Sequence, residues 1–134
     1  MNAILDTGPW VALIDRSESN HDLCVHWLKQ YSGRLYSTEA VLTEVLYLLN
    51  FSAVAQETAI NFVLNSVVEL IPSSADSLKK TLALIKKYSD LPMDYADATI
   101  VCLAIETGIN NIITFDKRDF GIYRVKNKPF YIFP

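Results

Sequence analysis

The chain has 134 residues, 51% of them hydrophobic and 20% charged, with four glycines and five prolines. A chain of this length makes one domain, residues 1–134, burying roughly two-thirds of its unfolded surface, and the composition excludes a disordered linker. A net charge of −3 excludes binding to nucleic acid by bulk charge alone, although not a local site that recruits cations.

Apolar runs and helix-period segments alternate along the chain. Ala3–Leu5 reads as a short buried strand, broken by Gly8-Pro9, with Trp10–Ile14 as a short helical turn. A helix is expected over His21–Tyr31, a strand at Leu35–Ser37, and helices over Glu39–Leu49 and from Ala53 to Asn65. Val67–Ile71 is the third strand. Ser73 is the expected cap of a helix reaching Lys87, with Asp76 as its capping-box partner. Asp94–Thr107 is a helix ending at Gly108, Asn111–Phe115 a fourth strand, and Phe130–Phe133 a fifth. Strands separated by helices imply parallel pairing with right-handed crossovers, hence a three-layer α/β sandwich with four or five strands. In such sheets, sites form beyond the carboxyl ends of the strands, where the strand order reverses.

Cys24 and Cys102 lack any C-x-x-C spacing and are read as buried free thiols in a reducing cytosol. Asp6 and Asp15 interrupt the first apolar stretch, and no run of about 18 apolar residues occurs. The expectation is a cytoplasmic protein that does not cross a membrane.

Several acids stand in unusual places. Asp6 and Asp116 follow the first and fourth strands, so they share one edge of a parallel sheet and converge if those strands are neighbours. Each alone also suits a strand-to-helix turn. Glu44 lies inside a helix, with Ala40, Val41, Tyr47 and Leu48 at helical spacing. It needs a cation or a hydrogen-bond partner unless it faces water beside the apolar stripe. Asp94 is the natural N-cap of the helix containing ATIVCLAI, and Asp97 either supports that first turn or joins a cation site. Were Asp6, Glu44, Asp97 and Asp116 to meet, their repulsion would demand a divalent cation, and oxygen-only ligands favour Mg²⁺ or Mn²⁺ over zinc. His21 and His26 lack ligand spacing and read as surface or partly buried residues.

The ordered segments ILDT, TEVLYLL, DYADATIVCLA and ITFDKRDF resemble a PIN-domain protein, of the small single-domain kind that includes VapC-like toxins. The resemblance spans nearly the whole chain. It implies an α/β/α sandwich around a parallel sheet and a Mg²⁺- or Mn²⁺-dependent ribonuclease. The family's acidic quartet falls on Asp6, Glu44, Asp97 and Asp116, with a further acid at Asp119, a hydroxyl residue at Thr114, and a small polar residue at Thr7. It also implies a cognate antitoxin and a homodimer. On that reading Asp6, Asp97 and Asp116 hold metal, while Glu44 ligates or orients the attacking water.

RNA must then meet basic groups: Lys117 and Arg118 beside Asp116, Arg124, Lys126 and Lys128 in the tail, or Lys79, Lys80, Lys86 and Lys87 on a helix. Phe115, Phe120 and Tyr123 are candidates for stacking on bases, against core packing as the plainer reading. Val54, Ile60, Phe62 and Leu64 are candidates for a dimer or antitoxin contact, against ordinary burial. A haloacid-dehalogenase-like phosphatase would need an acid where Gly8 stands, and a receiver domain an aspartate where Pro72-Ser73-Ser74 follows the third strand. No Walker motif occurs. The non-enzyme alternative is a PIN-like domain that binds RNA or protein without cutting.

Overall fold

A computed structural model describes all residues, Met1–Pro134. Five strands form one parallel sheet: β1 (Asn2–Leu5), β2 (Arg34–Thr38), β3 (Val68–Ile71), β4 (Asn111–Ile113) and β7 (Tyr131–Phe133). Their order is β3-β2-β1-β4-β7. A separate antiparallel hairpin pairs β5 (Arg124–Val125) with β6 (Lys128–Pro129), turning through Lys126 and Asn127, both at positive φ. The helices are α1 (Thr7–Ile14), α2 (His21–Gln30), α3 (Glu39–Leu48), α4 (Ala53–Leu64), α5 (Ala75–Lys87), α6 (Tyr95–Thr107) and α7 (Lys117–Ile122).

The chain steps outward from β1 to β2 to β3 through α1–α4, then returns past β1 to β4 through α5 and α6. With right-handed crossovers, that reversal puts α1–α4 on one face and α5–α6 on the other. The packing agrees: α1 touches α2, α3 and α4, while α5 packs along α6. The result is the expected α/β/α sandwich. Ala3, Ile4 and Leu5 of the central strand are wholly buried, as a strand covered on both faces requires. α6 is buried from Ala98 through Ala104, which explains why that segment is apolar all round.

Four local expectations need correction. Gly8-Pro9 does not delay α1, which starts at Thr7; proline in a first turn forfeits only an N–H that has no helical partner. The cap of α5 is Ser74, not Ser73, and its reciprocal partner is Ser77. Asp76 instead pairs with Lys80 on the exposed helix face, 3.4 Å away. The fourth strand ends at Ile113, so Thr114, Phe115 and Asp116 form a connection rather than strand, and α7 and the β5–β6 hairpin were not anticipated. Both cysteines are free and buried. No helix is long and apolar enough to cross a membrane.

Candidate active site

The strand order reverses between β1 and β4, which pair directly with Ile4 opposite Ile112 and Leu5 opposite Ile113. The Asp6 N–H extends the pairing by donating to the Ile113 carbonyl at 3.0 Å. Asp6 therefore leaves β1 at the switch point. It occupies the N-cap position of α1 but makes no side-chain capping bond. Its Oδ2 instead accepts from the buried Thr114 hydroxyl at 2.7 Å. Thr114 Oγ1 in turn accepts from the Asp116 N–H at 3.0 Å, so one hydroxyl ties the two strand ends together.

Asp116 caps α7 by accepting from the Asp119 N–H at 3.0 Å. Asp94 caps α6 in the same way, accepting from the Asp97 N–H at 2.8 Å. The capping alternative for Asp97 thus belongs to Asp94. The Asp97 side chain is free of that duty, and its Oδ2 accepts from the Tyr123 hydroxyl at 3.0 Å. Asp97, Asp116 and Asp119 can each offer an oxygen within 4.8 Å of the others. Asp119, expected as an accessory acid, is part of this tight trio, whereas Asp6 and Glu44 lie outside it.

Glu44 is not on the buried stripe of α3, which is formed by Val41 and Val45. It is exposed, as are Tyr47 and Leu48. Yet it is not free, because Oε2 accepts from the Thr7 hydroxyl at 3.0 Å. The supports around this edge are hydroxyl bonds as well. Ser37 donates to the Leu5 carbonyl at 2.8 Å, and Thr38 and Thr99 pair at 2.8 Å, joining β2 to α6.

The acids feel one another. Burial pushes the Asp6 carboxyl up to about 6, and the Glu44 and Asp116 charges push the same way against the Thr114 bond. Asp97 is pushed up to about 7, first by burial, then by Asp94 and Asp6. Asp119 is raised by burial and by Asp116. Burial and the neighbouring acids likewise hold the Tyr123 phenol far above its ordinary value, so it stays a donor. No ion pair neutralises this charge: the only one within 4.0 Å in the chain is Lys80–Asp76, on α5, and Arg118 opposes the rise at Asp119 only in part. Converging carboxylates, three of them with raised pKa values and none in an ion pair, form a donor set suited to a hard divalent cation.

The PIN-domain sequence profile matches residues 3–128. The chain belongs to the PIN-domain family. No curated protein matches it significantly. Among solved structures, this PIN domain is similar to Mycobacterium tuberculosis VapC20, described as a sarcin-ricin loop cleaving toxin. The two are 22% identical with a TM-score of 0.79, over 87% of this chain and 91% of the other. A chain of Rickettsia felis VapBC2, bound to a promoter DNA fragment, aligns over 100% of both chains at 18% identity and a TM-score of 0.66. A toxin–antitoxin complex from Klebsiella pneumoniae gives 21% identity and a TM-score of 0.64, over 90% of this chain and 91% of that one.

The basic and aromatic candidates divide. Lys117 and Arg118 are exposed in the first turn of α7, beside Asp116. Arg124 is not a free cation, since its Nη1 donates to the carbonyls of Gly121, Ile122 and Tyr123 and closes the end of α7. Lys126 and Lys128 are exposed on the hairpin, and Lys79, Lys80, Lys86 and Lys87 on α5. Phe120 and Tyr123 cannot stack on bases, because both are fully buried in an edge-to-face cluster with Phe130 and Tyr88. Phe115 keeps 37% exposure. Its ring lies so close to Gly8 that a Cβ there would meet it at 3.0 Å. Phe62 stacks on Trp10 at 6.5 Å, whereas Val54, Ile60 and Leu64 remain exposed. The residue whose site contact sequence reasoning missed is Tyr123. It is distant from Asp97 in the chain, and no periodicity links the two.

Proposed function

We propose that this PIN domain is a metal-dependent endoribonuclease that hydrolyses RNA phosphodiester bonds, and that it is the toxin of a toxin–antitoxin pair. The observation that carries the reading is the convergence of Asp6, Asp97, Asp116 and Asp119 at the switch point with no ion pair to any of them. A domain that only bound RNA would gain nothing from such a cluster, which repels phosphate. The toxin assignment draws support from the fold shared with a protein described as a sarcin-ricin loop cleaving toxin and with a toxin–antitoxin complex.

Asp97, Asp116 and Asp6 would hold Mg²⁺ or Mn²⁺, with Asp119 within reach of the same ion. A hard cation bound there supplies an activated water at neutral pH and shields the phosphate charge. Glu44, held by Thr7, is suited to ligate or to orient that water by accepting its hydrogen bond. Thr114 fixes the Asp6 carboxylate and, through the Asp116 amide, the distance between the two strand ends. Lys117 and Arg118 offer positive charge to the RNA backbone beside the acids. The same reading carries a cytoplasmic location, a cognate antitoxin and a homodimer.

The test is cleavage of a panel of structured RNAs with Mn²⁺ or Mg²⁺. Wild type should cut, a chelator should stop it, and Asp97→Asn should abolish it. Equal survival of the panel with wild type and Asp6→Asn in saturating metal would reject the nuclease. Expression in a host lacking the antitoxin should arrest growth for wild type only; arrest by Asp97→Asn as well would reject a nuclease cause.

A further inference from the structure

Tyr123 is held from every side. Its ring meets Phe120 and Tyr88 edge-on, each at 5.1 Å between centroids. Its N–H donates to the Asp119 carbonyl at 3.0 Å, and its own carbonyl accepts from Arg124 at 3.0 Å. The residue is fully buried, yet its hydroxyl reaches out of the aromatic cluster to Asp97 Oδ2 at 3.0 Å. A phenol donates a single hydrogen, and this one goes to the carboxylate. Asp97 has no other side-chain partner: its amide is bound to Asp94, but its carboxylate touches neither a base nor a second hydroxyl. Thr114 plays the corresponding part for Asp6.

We propose that Tyr123 is the positioning residue for the Asp97 carboxylate, occupying one oxygen so that the group is presented in one orientation to a divalent cation. The inference rests on the metal-site reading above. Without the hydroxyl, Asp97 would rotate on the first turn of α6 and meet the cation in several orientations. Partners of this kind typically affect metal affinity or activity by about 10- to 100-fold.

Metal binding is measured directly, without RNA, by calorimetric titration of the full chain with Mn²⁺ alone. Tyr123→Phe keeps the ring and removes one oxygen, and near-ultraviolet circular dichroism checks that the aromatic cluster survives. Tyr88→Phe is the control, because its hydroxyl accepts from the Arg124 amide and touches no acid. The expected result is a Kd raised about tenfold by Tyr123→Phe and unchanged by Tyr88→Phe. In RNA cleavage the same variant should need more Mn²⁺ for half-maximal rate while approaching wild-type kcat at saturating metal. An unchanged or tighter Kd in Tyr123→Phe overturns the proposal, as does equal weakening by both variants, which would be a packing effect. If wild type and Asp97→Asn bind Mn²⁺ alike, the metal site itself fails, an outcome distinct from a Tyr123→Phe failure on a working site.

Discussion

Thr7 donates its hydroxyl hydrogen to Glu44 over 3.0 Å, and this bond tethers an exposed helical side chain beside the buried Asp6. Thr7 is the first residue of α1 and follows Asp6 directly. Glu44 belongs to the solvent-facing side of α3, where a free glutamate would sample many rotamers. Held by Thr7, its charge stays close enough to Asp6 to help raise that group's pKa.

Glu44 and Thr7 should therefore behave as a unit. Glu44→Gln is expected to lower kcat about 100-fold and Thr7→Val about tenfold, the range seen for lost orienting partners. Once Glu44 is neutral its tether has nothing left to orient, so the double variant should be no worse than Glu44→Gln. Steady-state cleavage of one RNA by the four proteins tests this. Multiplicative losses would mean that Thr7 acts elsewhere.

The metal-free protein should lose stability as the pH rises. Folding raises Asp6 from 3.8 to about 6 and Asp97 from 3.8 to about 7, in both cases chiefly by burial. Between those limits the folded chain holds more protons than the unfolded one, so unfolding releases protons and higher pH favours it. The stabilisation is complete below the unfolded pKa and gone above the folded one. For Asp6 the rise of roughly two units corresponds to about 3 kcal/mol as an upper bound. Thermal melts with a chelator should give a higher Tm near about pH 5 than about pH 8. Mn²⁺ should restore the loss at the higher pH, and Asp6→Asn should flatten the dependence. A chelated protein whose Tm climbs steadily across that range would contradict the burial of these acids.

Much of this was legible in the sequence because the central elements obey strong rules. A strand covered on both faces must be continuously apolar, so Ala3–Leu5 and Ile112-Ile113 stood out, and the acids that followed them were conspicuous. Asp94 as cap and Gly108 as terminus of α6 follow from local geometry, with Gly108 at φ 76°. The exposure of Glu44 was less legible, since Tyr47 and Leu48 are apolar but lie on the same wet side. Adjacent serines hid the true cap of α5. α7 has six residues, too few for a period to register, and so the placement of Asp119 beside Asp97 was unreadable. The Tyr123–Asp97 bond depends on how that short helix ends, which tertiary packing sets.

Asp116 does two jobs that substitution can separate. Its carboxylate caps α7 and also lies within the acidic trio. Asparagine caps a helix about as well as aspartate, whereas alanine costs about 1 kcal/mol at such a position. Asp116→Asn should thus abolish cleavage with little change in denaturation midpoint. Asp116→Ala should abolish cleavage and also lower stability by about that amount, because the Asp119 amide loses its acceptor. Equal stability of the two variants would show that the cap contributes nothing to this helix.

The last prediction concerns how RNA would approach an acidic cluster that repels phosphate. Lys117 and Arg118 are exposed in the first turn of α7, next to Asp116, while Arg124 is committed to the carbonyls at the other end. If the pair contacts backbone phosphates, each contact releases bound counterions, and affinity depends on salt in proportion to their number. Replacing both with alanine removes two contacts, which for single-stranded RNA should flatten the log–log salt dependence of kcat/KM by about 1.4. The loss should fall mainly on KM, because neither side chain is ion-paired to the acids that would bind metal. The same double substitution at Lys86 and Lys87 on α5 should leave the slope unchanged. A fall in kcat with KM and slope intact would instead mean that the pair supports the acids, and the path of the RNA would have to be sought on another face.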